Sequence, residues 1–300
     1  MKDWIKLVND YKVFLRIERG LSTNTILNYE LDISKLINYL KEQDIKVSPI
    51  SISDSEISQF IYHISEQVNA RSQSRIISGL KSFFKYLNFE GLREDYPLEL
   101  IEIPKIGRKL PDTLSSEEID LLIAAIDLSK PEGERNRCIL ETLYSCGLRV
   151  SELTDLKISD LFFDEGFIKV SGKGNKQRFV PISKHTQKYI LLYKNTVRTH
   201  LPIQKGFEDT LFLNRRGKKL TRAMVFTIIK DLATKIALKK SISPHTFRHS
   251  FATHLLQNGA DLRSIQIMLG HESITTTEVY MHLDRKHLSK ILTDFHPRNK

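Results

Sequence analysis

Six side chains stand out by their type and their order along the chain: Arg149, Lys173, His245, Arg248, His271 and Tyr280. Singly, each has an ordinary reading. Arg149 reads as a helical arginine paired with Glu152 one turn on. Leu148, Val150 and Leu153 nevertheless put it in apolar company, where a permanent charge needs a purpose. Lys173 lies in a glycine turn, where lysine is commonplace. His245 and Arg248 carry a stronger signal. Ser243 and Pro244 read as the cap and first residue of a helix, so the two side chains lie one turn apart, near the end whose dipole favours an anion. His245 and His249 also have the i,i+4 spacing of a metal pair. The glutamate of the zinc-protease motif and an acidic third ligand are missing, so no metal is expected. His271 follows a helix end at Leu269-Gly270, and Tyr280 comes nine residues later.

The elements that must position these groups fall into two regions. Up to about residue 100 the pattern is helical. Trp4, Leu7, Val8, Tyr11, Phe14 and Leu15 recur at spacings of three and four, as one buried stripe requires. Gly20 ends that helix, and Ser22 or Thr23 caps a second, running to about Tyr39–Leu40. Ser53 and Asp54 announce a third, and a fourth covers about Arg71–Leu87, with Ile76, Ile77, Leu80, Phe83, Phe84 and Leu87 apolar. Four helices with short connections suggest a small bundle. Arg71, Arg75, Lys81 and Lys85 fall largely on the other side of the fourth helix, as a solvated face or a phosphate-contacting one.

Residues 101–112 contain two prolines and a glycine and read as an extended linker, basic through Lys105, Arg108 and Lys109. The expected division is 1–100, linker 101–112, and 113–300. Beyond the linker Leu114-Ser-Ser-Glu-Glu118 resembles a capping box. Phe167–Val170 and Gln177–Pro181 read as two strands about a glycine turn, and Leu211–Leu213 as a third short strand. Helices resume near Thr221 and continue past Tyr280.

Composition bounds the reading further. The 300 residues are 40% hydrophobic and 27% charged, as in a globular chain. No apolar run approaches the ~20 residues that span a bilayer, and the opening helix is too charged for a signal peptide, so a soluble, cytoplasmic protein without a membrane partner is expected. Cys138 and Cys146, eight residues apart in a helical segment, would lie about 12 Å apart, too far for a disulfide. The net charge is +10, and its distribution is uneven. Residues 1–105 carry 14 Lys and Arg against 15 Asp and Glu, and the remainder carry 32 against 21. The basic excess therefore lies in the second region and suggests a polyanionic partner.

In this order the motifs resemble the successive signature boxes of the tyrosine recombinases: Gly147-Leu-Arg-Val-Ser-Glu-Leu153, Gly172-Lys-Gly174, His245-x-x-Arg248, Leu269-Gly-His271 and Val279-Tyr280. The resemblance is closest to the bacterial Xer branch and covers essentially the whole chain, including the closing His296-Pro-Arg298. It departs at Phe247, where the family often has leucine, without touching the catalytic set. It implies a mainly α fold with a small antiparallel β-sheet in the C-terminal domain, arranged as a two-domain DNA clamp.

It also implies roles. Arg149 and Arg248 would neutralise the attacked phosphate, His245 and His271 would donate to it with either able to take the tyrosine proton, and Lys173 would protonate the departing 5′ oxygen. Glu152 would orient the cluster, and Tyr280 would attack to form a 3′-phosphotyrosyl link, leading through a Holliday junction to recombined strands. The phosphodiester energy is conserved, so no ATP, metal or other cofactor is expected. The implied partners are duplex DNA with paired half-sites, a related second Xer recombinase in a tetramer on two sites, and a DNA translocase at the division septum, for resolving chromosome dimers. The last helix, about 285–293, would dock into a neighbouring subunit. An element-borne integrase, a type IB topoisomerase-like enzyme and a non-catalytic DNA-binding protein are the alternatives.

Overall fold

A computed structural model describes residues 2–104, 107, 112–172, 174, 176–270 and 283–299 of the chain. They form two compact units, Met1–Lys109 and Leu110–Lys300. No helix among the described residues is long and apolar enough to cross a membrane.

The first unit is built from α1 (Lys2–Ile17), α2 (Thr23–Glu42), α3 (Asp54–Gln67) and α4 (Ala70–Phe89). Their starts are set by side chains that accept orphan N–H groups. Ser22 takes that of Thr25, Asn69 that of Ser72, and Ser53 forms a reciprocal box with Glu56. Trp4, Tyr11, Ile33, Leu36, Phe60, Leu80, Phe83 and Phe84 fill the core. One polar group enters it. Asp32 is fully buried and bonded to Arg75 at 2.6 Å, and Gly79 makes room, since a Cβ there would lie 2.9 Å from the Asp32 carboxylate.

The second unit opens with α5 (Ser116–Ala124), capped by the Ser115–Glu118 box, and α6 (Gly133–Cys146). Both cysteines are free and buried in α6. Gly147 ends α6 at φ +58°, and α7 (Val150–Asp155) follows. An antiparallel sheet comes next, in the order β1 (Leu161–Phe162), β2 (Phe167–Ser171), β3 (Gln177–Pro181). Its register sets Val170 opposite Arg178. Then come α8 (Lys184–Leu192), α9 (Arg222–Lys235), α10 (Pro244–Gln257), α11 (Leu262–Leu269) and α12 (Leu283–Phe295). Tyr144, Leu153, Ile168, Phe212, Phe247, Phe251 and Met268 belong to one buried cluster.

Two local expectations are corrected. Leu211–Leu213 is not a strand: only the isolated bridges Lys157–Thr210 and Leu213–Lys219 form there. All three side chains are buried, and the Leu213 N–H goes to the Tyr193 hydroxyl instead of a ladder partner. The third strand is Leu161–Phe162. Arg149 is not inside a helix either. It is the extended N-cap residue of α7 (φ −69°, ψ 149°), because the left-handed turn at Gly147 has already stopped α6.

That turn sets the direction in which Arg149 leaves the core. A Cβ on Gly147 would sit 2.5 Å from the Phe251 ring, in a backbone conformation that L-residues disfavour. Gly147→Ala is expected to cost about 2–5 kcal/mol, from left-handed strain of about 1–2 and overpacking of about 1–3. Urea unfolding would measure it, and a loss below 1 kcal/mol (about the strain alone) would mean that Phe251 yields freely.

Candidate active site

The centre of the second unit is a buried carboxylate surrounded by arginines. Glu152, its side chain only 1% exposed, lies in the first turn of α7. Its Oε2 accepts the backbone N–H of Arg149 at 2.8 Å, and its Oε1 accepts Arg149 Nη1 at 2.8 Å. Arg178, from β3, addresses both oxygens, at 2.7 Å through Nη1 and 2.9 Å through Nη2. Arg248, on α10, brings Nη1 to 3.9 Å. Three guanidiniums thus share one carboxylate.

The same arginines close the end of α11. The last carbonyls of a helix lack partners within it and carry the negative end of its dipole. Arg178 Nε donates to the Met268 carbonyl at 2.9 Å, and Arg248 Nη2 to that of Leu269 at 2.6 Å. Arg149 donates to the carbonyls of Leu269 at 3.4 Å and Gly270 at 3.2 Å. Arg248 also holds the Gly147 carbonyl at 2.8 Å. Gly270, at φ +66°, lies under Arg178: a Cβ there would be 2.9 Å from its Cδ.

The electrostatics follow from this packing. Burial works to raise the Glu152 pKa, but hydrogen bonds and charge from Arg178, then bonds from Arg149, hold it below the ordinary glutamate range. Burial, then the charge of Arg149, pulls the Arg248 guanidinium down to about 10, partly offset by Glu152. It stays cationic at neutral pH. With one anion against three cations, the cluster keeps a net positive charge and suits an anionic ligand.

His245 is exposed on the otherwise buried first turn of α10, one turn before Arg248. Pro244 opens that helix, and the Ser243 N–H donates to the Thr246 hydroxyl at 3.0 Å. Arg149, Glu152, Arg248 and His245 are therefore carried on the facing ends of α7 and α10. Lys173, His271 and Tyr280 lie outside the described residues. Their described neighbours are Gly172, whose N–H donates to the Lys176 carbonyl at 2.8 Å, and Gly270. Sequence reasoning missed Arg178. Its signal is faint, an arginine in a short strand whose alternation would as readily point it to solvent.

Of the basic residues expected on α4, Arg71, Arg75 and Lys85 are exposed. Arg75 is committed to Asp32, and Lys81 donates to the Ile101 carbonyl at 2.6 Å. Lys105, Arg108 and Lys109 lie outside the described residues.

A buried carboxylate fixing converging arginines, with an imidazole one turn before Arg248, makes a cationic centre suited to an oxyanion. The comparisons with known proteins specify it. Residues 112–287 match the phage integrase family, and residues 8–91 match the phage integrase N-terminal SAM-like domain. The chain is 43% identical over 298 residues to tyrosine recombinase XerD of Staphylococcus saprophyticus, covering 97% of this chain and 99% of that protein. It is 42% identical over 292 residues to XerD of Oceanobacillus iheyensis, covering 97% and 98%. Among solved structures, XerH recombinase in a post-cleavage complex with a palindromic difH substrate superposes with a TM-score of 0.70 at 25% identity, covering 92% of this chain and 81% of that one. The chain belongs to the phage integrase family of tyrosine recombinases, within its Xer branch.

Removing the central carboxylate has a calculable consequence. Glu152→Gln leaves buried guanidiniums without their counter-charge and should destabilise the chain by about 3–5 kcal/mol at neutral pH. Because the folded pKa is depressed, this stabilisation is complete above the unfolded value of about 4.3 and is lost as pH falls through the lower folded one. The gap between wild type and variant should therefore close only in acid, below the ordinary glutamate range. Urea unfolding against pH checks this, and a gap that stayed constant into strong acid would refute it.

Proposed function

We propose that this chain is a site-specific recombinase that cuts and rejoins duplex DNA through Tyr280. The observation that carries the reading is the convergence of Arg149 and Arg248 on the end of α11, directly before His271. The attacked phosphorus gains negative charge on its non-bridging oxygens, and fixed guanidinium donors stabilise that charge more in the transition state than in the ground state. The phenol of Tyr280, with an ordinary pKa of ~10, passes its proton to one of the two imidazoles, His245 or His271, as its oxygen bonds to phosphorus. The bond from phosphorus to the 5′ oxygen breaks, and Lys173 supplies the proton which that oxygen takes up. His245 and His271 donate to the phosphate. One ester replaces another, so a 5′-hydroxyl can reverse the step and reseal the strand, and no ATP is consumed.

The relatives' name, tyrosine recombinase XerD, supports a further reading: paired half-sites, a related second recombinase in a tetramer, a Holliday-junction intermediate, and resolution of chromosome dimers with a septal DNA translocase. The N-terminal unit adds phosphate contacts through Arg71 and Lys85 of α4, with Lys105, Arg108 and Lys109 in the following segment.

The direct test is a nicked duplex carrying a candidate site, which releases the short cleaved strand and traps the intermediate. An SDS-resistant protein–DNA adduct is expected from wild type without added Mg²⁺, and none from Tyr280→Phe. If neither protein forms an adduct on sites supplied with a related partner, while salt-sensitive binding persists, the chain is a DNA-binding protein only. Removing Arg71 or Lys85 should lower the dependence of log K on log salt by about one counterion each. An unchanged slope in both variants would remove α4 from the interface.

A further inference from the structure

We infer that Arg178 is a positioning residue for DNA cleavage: it fixes Glu152, and through it Arg149, and ties β3 to the end of α11. The inference rests on the recombinase reading above. Arg178 sits on β3, and Lys173, outside the described residues, falls between β2 and β3 in the sequence. The β2–β3 hairpin is held by its ladder up to the Ser171–Gln177 pair and by the Gly172 N–H on the Lys176 carbonyl.

The guanidinium is spent inside the protein. Its Nη atoms reach both Glu152 oxygens at 2.7 and 2.9 Å, and its Nε reaches the Met268 carbonyl at 2.9 Å. Its side chain is 15% exposed, between 10% for Arg248 and 34% for Arg149, so its bonds rather than its burial set it apart. Gly270 gives it room, since a Cβ there would lie 2.9 Å from its Cδ. A residue so engaged has no fork left for a phosphate. It instead makes rigid the groups that do. Lysine could neutralise Glu152 but could not hold two oxygens and a carbonyl in one plane.

The groups facing Glu152 are Arg149 at the start of α7, Arg178 on β3 and Arg248 on α10. Arg178 makes the largest contribution to keeping this buried carboxyl ionised. Without it, burial is less well offset, and Glu152 should take up a proton at higher pH. Protonated, it no longer braces Arg149 with a full charge.

The experiment compares full-length wild type, Arg178→Gln, Arg178→Lys, Glu152→Gln and the double variant on the nicked duplex. It measures adduct formation in single turnover across pH, duplex Kd and melting temperature. Arg178→Gln should cleave ~10–100-fold more slowly at neutral pH with unchanged Kd. Its acid limb should move to higher pH, and Glu152→Gln should lack that limb. Arg178→Lys should recover part of the rate. The double variant should be no slower than the slower single variant, because the two residues act as one unit.

Wild-type rates in Arg178→Gln at every pH would overturn the inference while leaving the recombinase reading intact. Losses that multiply in the double variant would also overturn it. If both Arg178 variants lose folding or DNA binding in step with cleavage, the residue is structural only. An absent adduct in wild type would sink the recombinase reading, and this inference with it.

Discussion

Bringing several guanidiniums into one small volume is costly, because each loses hydration and each repels the others. In this chain the cost is met by one carboxylate. Glu152 offers both oxygens to Arg149 and Arg178 and lies 3.9 Å from Arg248. Its position depends in turn on the helix boundary before it. Gly147 stops α6, Arg149 becomes the cap of α7, and the Arg149 N–H reaches back to the glutamate three residues on. A capping box normally serves helix stability alone. Here the same geometry aims a guanidinium.

The second constraint is the end of α11. Its final carbonyls need donors from elsewhere, and three arginines from three different elements supply them. The helix end is therefore the common anchor of α7, β3 and α10. Burying these carbonyls without partners would cost about 1–3 kcal/mol each, so fold stability and site geometry rest on the same bonds. A substitution in the cluster is expected to report on both, which is why cleavage has to be separated from melting and from DNA affinity when its residues are tested.

Most of the scaffold was legible because its signals are local. Ser22, Ser53, Ser115 and the Ser243-Pro244 pair each mark a helix start that the structure shows. The hydrophobic period gave the buried faces of α1 and α4. What was hidden depends on tertiary context. Leu148, Val150 and Leu153 read as a continuing helix, whereas Gly147 breaks it. Leu211–Leu213 has a strand's composition, but its backbone bonds go to a tyrosine hydroxyl and to isolated bridges. Arg178 carries no local sign of burial, since its role arises only when β3 meets α7 and α11. Arg75 looked like a surface charge and is half-committed to Asp32, a residue whose burial depends on Gly79 in the facing helix.

The arginine cluster is also prepared for its ligand. A guanidinium has five N–H donors, and carbonyl and carboxylate contacts use only some of them. Among the described residues Arg248 commits Nη1 to Gly147 and Nη2 to Leu269, and Arg149 commits Nη1 and Nη2 to Glu152, Leu269 and Gly270. Further N–H groups remain on both; Arg178 also uses three of its five, but both its Nη atoms face the one carboxylate. The carbonyl bonds fix the planes of Arg149 and Arg248 before any phosphate arrives, so little orientation remains to be fixed when charge develops on the phosphate oxygens. Preorganised donors of this kind lower a barrier because the cost of orienting them was met during folding. Under the proposed function, the preorganisation of Arg149 and Arg248 and their burial have one origin, the carboxylate that lets three cations share one volume.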